Sequence, residues 1–235
     1  MKESVGIGIC TYNRAYRVGQ LIDMVRQATP HDCRLFVADD GSADGTVEVL
    51  EEKKVLYTTG LNLGVARNKN RLLQMLQSYD FIFILEDDLI IKKEGWVELF
   101  LQAHKQSNIH YLLFCPEWYY GEQIAISEFG GVRFSHPIHD GGVCSFYTKK
   151  VIETCGGFHP DFRGYGREHC EFTDRIHRSG LAGKYRVNHI IGSEEYLSFH
   201  TNESVRRVNW LQEEKVNQQL WEELNAKKIV KVPLV

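Results

Sequence analysis

Short apolar runs that alternate with helical patterns constrain the fold of this chain more than any other feature of its sequence. The runs lead into polar residues or glycine and belong to the segments VGIGICTY, CRLFVADDGSADG, KVLYTTG, FIFILEDD and IHYLLFCPEW. Between them lie segments with helical spacing, for example Val18, Leu21, Ile22 and Val25. Strands that alternate with helices in this way are typical of a mostly parallel sheet covered on both faces. The predicted fold class is therefore α/β, with a single central sheet flanked by helices.

A polar cluster follows directly on three of the predicted strands. The clusters are TYNR after the first strand, DDGSADG after the second and EDD after the fourth. Parallel strands bring their C-terminal ends to one edge of the sheet, and ligands of open α/β sheets bind at that edge. We therefore expect the three clusters to form one cleft.

The second half of the chain has a weaker pattern. Glycine pairs at 130–131, 141–142 and 156–157 indicate turns or close approaches of the backbone. The segment REHCEFTDRIHRSG predicts a helix with Glu168 and His169 in its first turn. Because the chain contains no linker rich in proline or serine and no internal repeat, we expect both halves to share one sheet.

Composition and charge argue against several classes of function. The formal net charge of −3 argues against a general nucleic-acid binder, which usually carries a basic excess. The N-terminus lacks the apolar stretch of a secretory signal, and no segment approaches the roughly 20 apolar residues that span a bilayer. The cysteines are scattered without a C-x-x-C pair, which favours reduced thiols over a disulfide scaffold or a zinc site. We therefore expect a cytoplasmic protein.

Three consecutive carboxylates, Glu86, Asp87 and Asp88, lie between the apolar segments FIFIL and LII. They repel one another, so their position at the end of a core strand suggests that a cation binds there. Mg²⁺ takes one or two protein carboxylates and completes its coordination with water and phosphate oxygens. In an extended segment, Glu86 and Asp88 would point to the same side. The alternative is a solvated turn after an edge strand.

Other charged residues near the strand ends suit a nucleotide. Asp39 and Asp40 follow a buried strand, and a carboxylate there can accept a hydrogen bond from a nucleobase imide, which would select uracil. Arg67, at the predicted start of a helix, can pair with a diphosphate, and a surface arginine is the alternative. The chain lacks a G-x-x-x-x-G-K-[ST] phosphate loop, and the G-x-G of VGIGIC lies inside a strand rather than after it. A nicotinamide-binding site is therefore not favoured.

Four motifs follow one another along the chain: CTYNR, VADDGSADGT, NLGVARNKN and ILEDDLI. Together they resemble family 2 glycosyltransferases of the GT-A, Rossmann-like fold. The acid cluster resembles the D-x-D motif of that family, with Glu86 in place of the first aspartate. The later stretch GGFHPDFRGYGREHCEFTDRI is similar to the segment that closes the catalytic site, with His169 where an aspartate is common. The residues that match this segment are Gly156, Gly157, Phe158, Gly164, Gly166, Glu168 and Glu171.

The resemblance covers about residues 4 to 200 and implies a reaction and a cofactor. A sugar would move from a nucleotide diphosphate sugar to an acceptor hydroxyl, with inversion at the anomeric carbon. Asp88 would coordinate Mn²⁺ or Mg²⁺, and Glu86 would support the ribose or a water on the metal. His200 falls where several GT-A enzymes place a further metal ligand, although a single histidine is more often structural.

The donor site that the resemblance implies combines residues from all four motifs. Thr11, Tyr12 and Asp40 would hold the uridine, and Arg67 would lie near the diphosphate. Similarity of GYGREHCEFTDR to galactosyl- and N-acetylgalactosaminyltransferases favours a UDP-linked galactose, N-acetylgalactosamine or N-acetylglucosamine. The remaining residues of the implied donor site are Asn13, Arg14, Asp39, Asn62, Gly64, Glu86, Asp87 and Gly142.

An acceptor hydroxyl is a poor nucleophile at neutral pH and needs a general base within hydrogen-bond reach. Glu168 is the expected base, and His169 and Glu171 are the alternatives, since in some relatives the second acid of the pair has this role. Glu168 could instead complement the dipole of its helix. The aromatic residues at 118–120 could stack on a sugar or belong to the core.

On this interpretation the chain divides into a catalytic domain over 1–204 and a C-terminal helix and tail over 205–235. Residues 1–115 would form the nucleotide-binding half, and residues 116–204 would supply the acceptor site and the base. The C-terminal helix is expected to pack on the catalytic domain. The alternative is contact with the inner face of a membrane or with a partner chain.

Carbohydrate, lipid-linked and protein acceptors are all compatible with the sequence, as in polysaccharide or glycoconjugate synthesis. Two rival functions are a sugar-nucleotide nucleotidyltransferase and an inactive sugar-nucleotide-binding module. A nucleotidyltransferase would usually carry an N-terminal glycine-rich loop with a basic residue, and CTYNRAYRVG is not such a loop.

Overall fold

The computed structural model describes residues 3–30, 32–114, 121–200 and 210–234. The strands are β1 Val5–Thr11, β2 Arg34–Asp39, β3 Leu56–Thr59, β4 Phe81–Glu86, β5 Leu89–Ile91, β6 Tyr111–Phe114, β7 Gln123–Phe129, β8 Val132–Pro137, β9 Cys144–Thr148, β10 His189–Ile190 and β11 Leu197–Phe199. The α-helices are α1 Ala15–Ala28, α2 Thr46–Glu52, α3 Val65–Leu76, α4 Trp96–Ser107, α5 Lys149–Cys155, α6 Glu168–Arg178 and α7 Trp210–Lys227. The predicted aromatic stretch at 118–120 lies outside the described residues.

Most of the strands form one sheet in the order β3-β2-β1-β4-β9-β6-β10-β8-β7. Neighbouring strands are parallel from β3 through β4, and β9 runs antiparallel between β4 and β6. The antiparallel hairpin of β7 and β8 forms the far edge. This arrangement confirms the predicted α/β class with a mostly parallel central sheet. The short strands β5 and β11 form a separate antiparallel pair.

Helices cover both faces of the sheet and bury its apolar side chains. Along β4, Phe83 packs in the layer formed with α1, α2 and α4, whereas Ile84 belongs to the layer formed with α3, α5 and α6. Adjacent residues contribute to opposite layers because successive side chains of a strand alternate between its two faces. Burial of each such side chain stabilises the fold by about 1.5–3 kcal/mol. The two layers enclose the sheet from both sides.

The glycines of β1 allow α3 to pack directly on the strand. A Cβ atom at Gly6 would lie 2.6 Å from Leu76 Cδ2, and one at Gly8 would lie 2.9 Å from Leu72 Cδ2. This close approach brings the first turns of α3 to the sheet edge, where Asn68 donates a hydrogen bond of 2.9 Å to a carbonyl of β2. The G-x-G of β1 therefore serves helix packing.

The C-terminal helix α7 packs against α6. The side chains of Trp221 and Asn225 each donate a hydrogen bond of 2.8 Å to Asp174 of α6. Beyond α7, Val232 forms a parallel bridge with Gly156, at the end of α5. The tail thus rests on the same part of the chain that leads into α6. Among the helices of the described segments, none combines the length and apolar character needed to cross a bilayer.

Candidate active site

The ends of β1, β2 and β4 lie side by side at one edge of the sheet. Cys10 of β1 is in register with Glu86, and Thr11 is in register with Asp39. The three polar clusters are therefore neighbours, and residues from all of them line one cleft of about 240 Å³. The residues of the cleft wall are Cys10, Thr11, Tyr12, Asn13, Arg14, Asp40, Val65, Asn68, Glu86 and Asp87.

The acid cluster after β4 forms a turn rather than an extended segment. Asp87 and Asp88 occupy the turn between β4 and β5, so the expectation that Glu86 and Asp88 alternate along one strand is wrong. The chain turns here because β5 leaves the main sheet and pairs with β11. At the turn, Thr11 donates a hydrogen bond of 2.8 Å to Asp87 Oδ2.

Burial and mutual repulsion separate the proton affinities of the three acids. Burial, together with the neighbouring carboxylates, raises the pKa of Asp87 to about 7 and the pKa of Asp88 to about 6. The positive charge of Arg14 opposes both shifts. Burial also disfavours the charged form of Glu86, but the ammonium of Lys69, together with the neighbouring His169, outweighs burial and lowers the pKa of Glu86 to about 2. The cluster is thus a glutamate that is ionised at neutral pH beside two aspartates that hold protons more tightly than usual.

Asp88 fits the role of a carboxylate ligand to a divalent cation. Its Oδ1 atom is buried and has no hydrogen-bond partner in the part of the chain that the structure describes. A buried carboxylate oxygen without a partner costs stability, and hard cations prefer such oxygen ligands. Among the described residues, no three His, Cys, Asp or Glu side chains converge as a metal site. A cation held by Asp88 would therefore take further ligands from water and substrate oxygens.

The backbone of His200 is hydrogen-bonded to the backbone of Asp88. Its N–H donates a hydrogen bond of 2.9 Å to the carbonyl of Asp88. His200 is exposed and lines a second depression together with Gln20, Met24 and Ile90. The structure thus brings the two predicted metal ligands together by strand pairing, and it does not join them in a three-residue ligand set within the described chain.

Hydrogen bonds between the loops after β1 and β2 hold the wall of the cleft. Asn13 has a φ of 50°, its side chain accepts from the N–H of Ala43 at 2.8 Å, and its own N–H donates to Ser42 Oγ at 2.7 Å. Asp44 accepts from the N–H of Ala15, the first residue of α1, at 3.1 Å. It also accepts from the first N–H of α2 at 3.1 Å. These bonds fix the loop that carries Tyr12 and Arg14.

Asp39 and Asp40 are buried, and both carboxylates bind the backbone. Asp39 Oδ2 accepts from two N–H groups of the following turn, at 3.1 and 3.0 Å. Asp40 accepts from the N–H groups of Leu63 at 3.0 Å and Gly64 at 2.9 Å, with the Arg71 guanidinium at 3.4 Å. Asp40 forms part of the cleft wall, and Asp39 does not. Contact between Asp40 and a nucleobase stays a prediction and would compete with these partners.

Gly64 joins the first half of the chain to the second. Its φ is 92°, and a Cβ atom there would lie 2.6 Å from the backbone nitrogen of Gly164. Only glycine satisfies both the conformation and the close approach. The N–H of Val65 donates to the carbonyl of Gly164 at 2.9 Å. Asn62 and Arg67 are exposed on either side, and Arg67 donates to a carbonyl of the second half at 2.9 Å.

Lys69, on α3, contacts residues of two other elements, β4 and α6, beside the cleft. Its ammonium lies 2.5 Å from Glu86 Oε1 and 3.9 Å from Glu168 Oε1, and it contacts Nε2 of His169. The lysine is only 1% exposed. Burial disfavours its charge, but the two carboxylates outweigh burial and raise the pKa of Lys69. A single buried cation therefore connects the acid cluster to the first turn of α6.

The first turn of α6 places Glu168 and His169 at this junction. Glu168 is buried and accepts a hydrogen bond of 2.9 Å from the N–H of Gly166. Gly142 lies against the imidazole, because a Cβ atom there would be 3.4 Å from His169 Cε1. Two of the three predicted catalytic residues thus lie beside Lys69 and the end of β4.

Glu171 has a different environment. It is fully buried, and the guanidinium of Arg175 donates to both of its oxygens at 2.7 Å. The same guanidinium also binds the carbonyls of Cys155 and Gly157, at 2.5 and 2.8 Å. A carboxylate occupied in this way is a poor candidate for proton transfer, so the structure opposes Glu171 as the base.

Lys69 was not among the site residues expected from the sequence, although the sequence carries a signal. Lys69 is three residues after Ala66 and three before Leu72, and both of those residues are buried. A lysine at this spacing lies on the apolar face of α3 and needs a charged partner. Arg71 was missed in the same way, and its bonds to the loop after β2 were not expected.

Comparison with solved structures identifies the fold class. S. aureus TarS 1–349 in complex with UDP has a TM-score of 0.67 at 16% identity, over 96% of this chain and 65% of that one. Mannosyltransferase PcManGT from Pyrobaculum calidifontis has a TM-score of 0.62 at 15% sequence identity. That similarity covers 99% of this chain and 66% of the mannosyltransferase. Glucosyl-3-phosphoglycerate synthase from Mycobacterium tuberculosis has a TM-score of 0.61 at 13% sequence identity. That similarity covers 96% of this chain and 80% of the synthase. These similarities confirm the predicted GT-A fold, and the chain spans about two thirds of the first two proteins.

The family follows from the sequence itself. Residues 6–158 match the model described as Glycosyl transferase family 2, which is more than half of the chain. The protein therefore belongs to glycosyltransferase family 2 and is a glycosyltransferase. The match ends before α6, so it does not extend to the segment that resembles galactosyltransferases. A comparison with curated proteins found no match.

Proposed function

We propose that this glycosyltransferase uses a UDP-linked sugar and a divalent cation, Mn²⁺ or Mg²⁺, and transfers the sugar to an acceptor hydroxyl with inversion. The acid cluster beside the cleft carries the proposal, because Asp88 Oδ1 is buried there without a partner in the described chain. The relatives support it. The M. tuberculosis synthase was solved with Mn²⁺ and UDP, TarS with UDP, and PcManGT with GDP-Man and Mn²⁺.

The cleft offers contacts for each part of the donor. Thr11, Tyr12 and Asn13 form the wall on which the nucleoside would lie. The guanidinium of Arg14 acts on the acid cluster and would also attract a diphosphate. Asp88 would hold the cation, which stabilises negative charge on the departing diphosphate.

Glu168 would take the proton of the acceptor hydroxyl. The acceptor oxygen then bonds to the anomeric carbon while the carbon–oxygen bond to UDP breaks, and the electron pair leaves with UDP. Attack from the side opposite UDP inverts the anomeric configuration. A positioned general base contributes typically about 10²–10⁴-fold to such a rate.

We also propose a class of donor sugar and of acceptor. The similarity of the α6 segment to galactosyl- and N-acetylgalactosaminyltransferases supports UDP-linked galactose, N-acetylgalactosamine or N-acetylglucosamine. The acceptor would be a carbohydrate, lipid-linked or protein hydroxyl of polysaccharide or glycoconjugate synthesis on the cytoplasmic side. The hydrogen bonds between α7 and Asp174 support a structural role for that helix rather than membrane contact.

The first test is slow hydrolysis of nucleotide sugars without an acceptor. The protein would be incubated with Mn²⁺ and UDP-galactose, UDP-N-acetylgalactosamine, UDP-N-acetylglucosamine, UDP-glucose or GDP-mannose, and the released nucleotide would be measured. We expect UDP release from one of the first three donors and none in EDTA. Release of pyrophosphate instead would indicate a nucleotidyltransferase. Failure of every donor to bind would reject the proposal.

The second test replaces the proposed base. Glu168→Gln should lower turnover about 10²–10⁴-fold and leave the affinity for UDP unchanged, because only proton transfer is lost. Glu153→Gln, at an exposed position of α5, is the matched control and should retain full turnover. Wild-type turnover in Glu168→Gln would show that another residue is the base.

A further inference from the structure

We propose that Lys69 is a positioning residue that assigns the role of base to Glu168, by occupying His169 and by placing a positive charge beside the carboxylate. This inference rests on the proposed glycosyl transfer and deepens it. It concerns a residue on α3 that contacts the first turn of α6 from the other half of the chain.

The contact between Lys69 and His169 determines which imidazole nitrogen carries a proton. An ammonium group has only donors, so Nε2 of His169 must accept from it. In the neutral imidazole the proton is then on Nδ1, which is buried without a partner among the described residues. His169 therefore has no free nitrogen that could take a proton from an acceptor. Of Glu168 and His169, Glu168 alone keeps that capacity.

The same ammonium acts on Glu168 through its charge. The two charged groups are 3.9 Å apart and almost fully buried. An opposite charge within about 4–6 Å favours the ionised form of a carboxylate. Glu86 Oε1 is 2.5 Å from the same ammonium, so Glu86 and Glu168 share one positive charge.

The other titratable groups near this cation carry no charge at neutral pH. They are the thiol of Cys10 on β1 and the phenol of Tyr147 on β9, and burial raises the pKa of both. The face of the Phe158 ring lies 5.5 Å from the ammonium. Among the described residues around the junction, removal of Lys69 would thus leave two carboxylates without a compensating charge.

The experiment measures the pH dependence of UDP-sugar hydrolysis in Lys69→Met. We expect the acidic limb of the profile to move to higher pH, with the rate recovering at high pH, because a positive charge beside the base is lost. A purely structural role would lower the rate equally at every pH, and that result would overturn the proposal. Lys150→Met is the matched control. Lys150 is exposed and follows the opposite end of β9, so its profile should not move.

A conservative variant protects the test against loss of folding. Lys69→Arg keeps a positive charge beside Glu168, so its acidic limb should stay near that of the wild type while the limb of Lys69→Met moves. Equal displacement of the limb in both variants would contradict the proposal.

Imidazole ¹⁵N–¹H correlation spectra provide a readout that needs no catalysis. With the His169 signals assigned from His169→Gln, we expect the Nδ1–H tautomer in the wild type and a gain of Nε2–H in Lys69→Met. If the wild type shows the Nδ1–H tautomer but binds neither UDP nor Mn²⁺, the Lys69 contact is supported and the proposed function is rejected. Nucleotide turnover with the Nε2–H tautomer in the wild type would instead reject the role of Lys69 alone.

Discussion

Replacement of Asp88 by Asn is expected to stabilise the metal-free protein and to abolish its stabilisation by metal. Burial and the Glu86 charge raise the pKa of Asp88 from 3.8 to about 6. A shift of about two pKa units corresponds to about 3 kcal/mol. Because the side chain is partly solvated, we expect about half of that, roughly 1.5 kcal/mol.

The sign of this effect depends on pH. Below about pH 4 the carboxyl is protonated in the folded and the unfolded state, so Asp88 costs no stability there. Between about pH 4 and 6 Asp88 ionises readily only in the unfolded state, so its cost to folding stability grows with pH. The full cost is present above the folded-state pKa of Asp88. Asp88→Asn should therefore raise Tm by about 3–6 °C at pH 8 and leave it unchanged at pH 4.

Thermal unfolding followed by circular dichroism tests this expectation, first in EDTA between pH 4 and 8 and then with Mn²⁺ and UDP. At a hundredfold excess over Kd the ligands should stabilise the wild type by about 2.7 kcal/mol, and the variant should gain little. Glu52→Gln, exposed on α2, is the control and should behave as the wild type. A lower Tm of Asp88→Asn in EDTA at pH 8, or an equal gain from Mn²⁺ and UDP in both proteins, would refute the reasoning.

Three other substitutions test contacts that hold the site together. Arg175→Met leaves the carboxylate of Glu171 buried and unpaired, so the free energy of unfolding in urea should fall by about 3–5 kcal/mol; a loss under 1 kcal/mol would contradict the ion pair. Gly64→Ala would force a Cβ atom to 2.6 Å from Gly164, and we expect a loss of at least about 1–3 kcal/mol together with weaker UDP binding in calorimetry. Asn217→Ala removes hydrogen bonds of 2.8 and 3.3 Å to carbonyls of the loop before α6. It should cost about 1–3 kcal/mol in the same urea assay, and an unchanged midpoint would show that α7 does not hold this loop.

The strands that begin the chain could be predicted because their signals are local. Apolar β-branched runs, polar strand ends and helical spacing are all contained within a few residues of one another. The neighbouring positions of Thr11, Asp39 and Glu86 followed from the general geometry of parallel sheets, without knowledge of the register. The acids beside one cleft were therefore expected from the sequence.

The later strands could not be predicted in the same way. β11 is three residues long and pairs Phe199 with Leu89, a partner in the first half of the chain. The turn at Asp87 and Asp88 follows from that long-range pairing, and local alternation therefore gave the wrong side-chain arrangement. The edge strand β7 is largely exposed, so no buried apolar run marks it in the sequence.

By itself, the amino-acid sequence determined that this chain folds around a mostly parallel sheet and that its first half carries the motifs of a glycosyltransferase. Only the tertiary structure decided which charges meet. It paired Glu171 with Arg175 and placed Lys69 between Glu86 and Glu168. The physical reason is that the strength of a charge depends on its burial and its neighbours, and both are set by segments far apart in the chain.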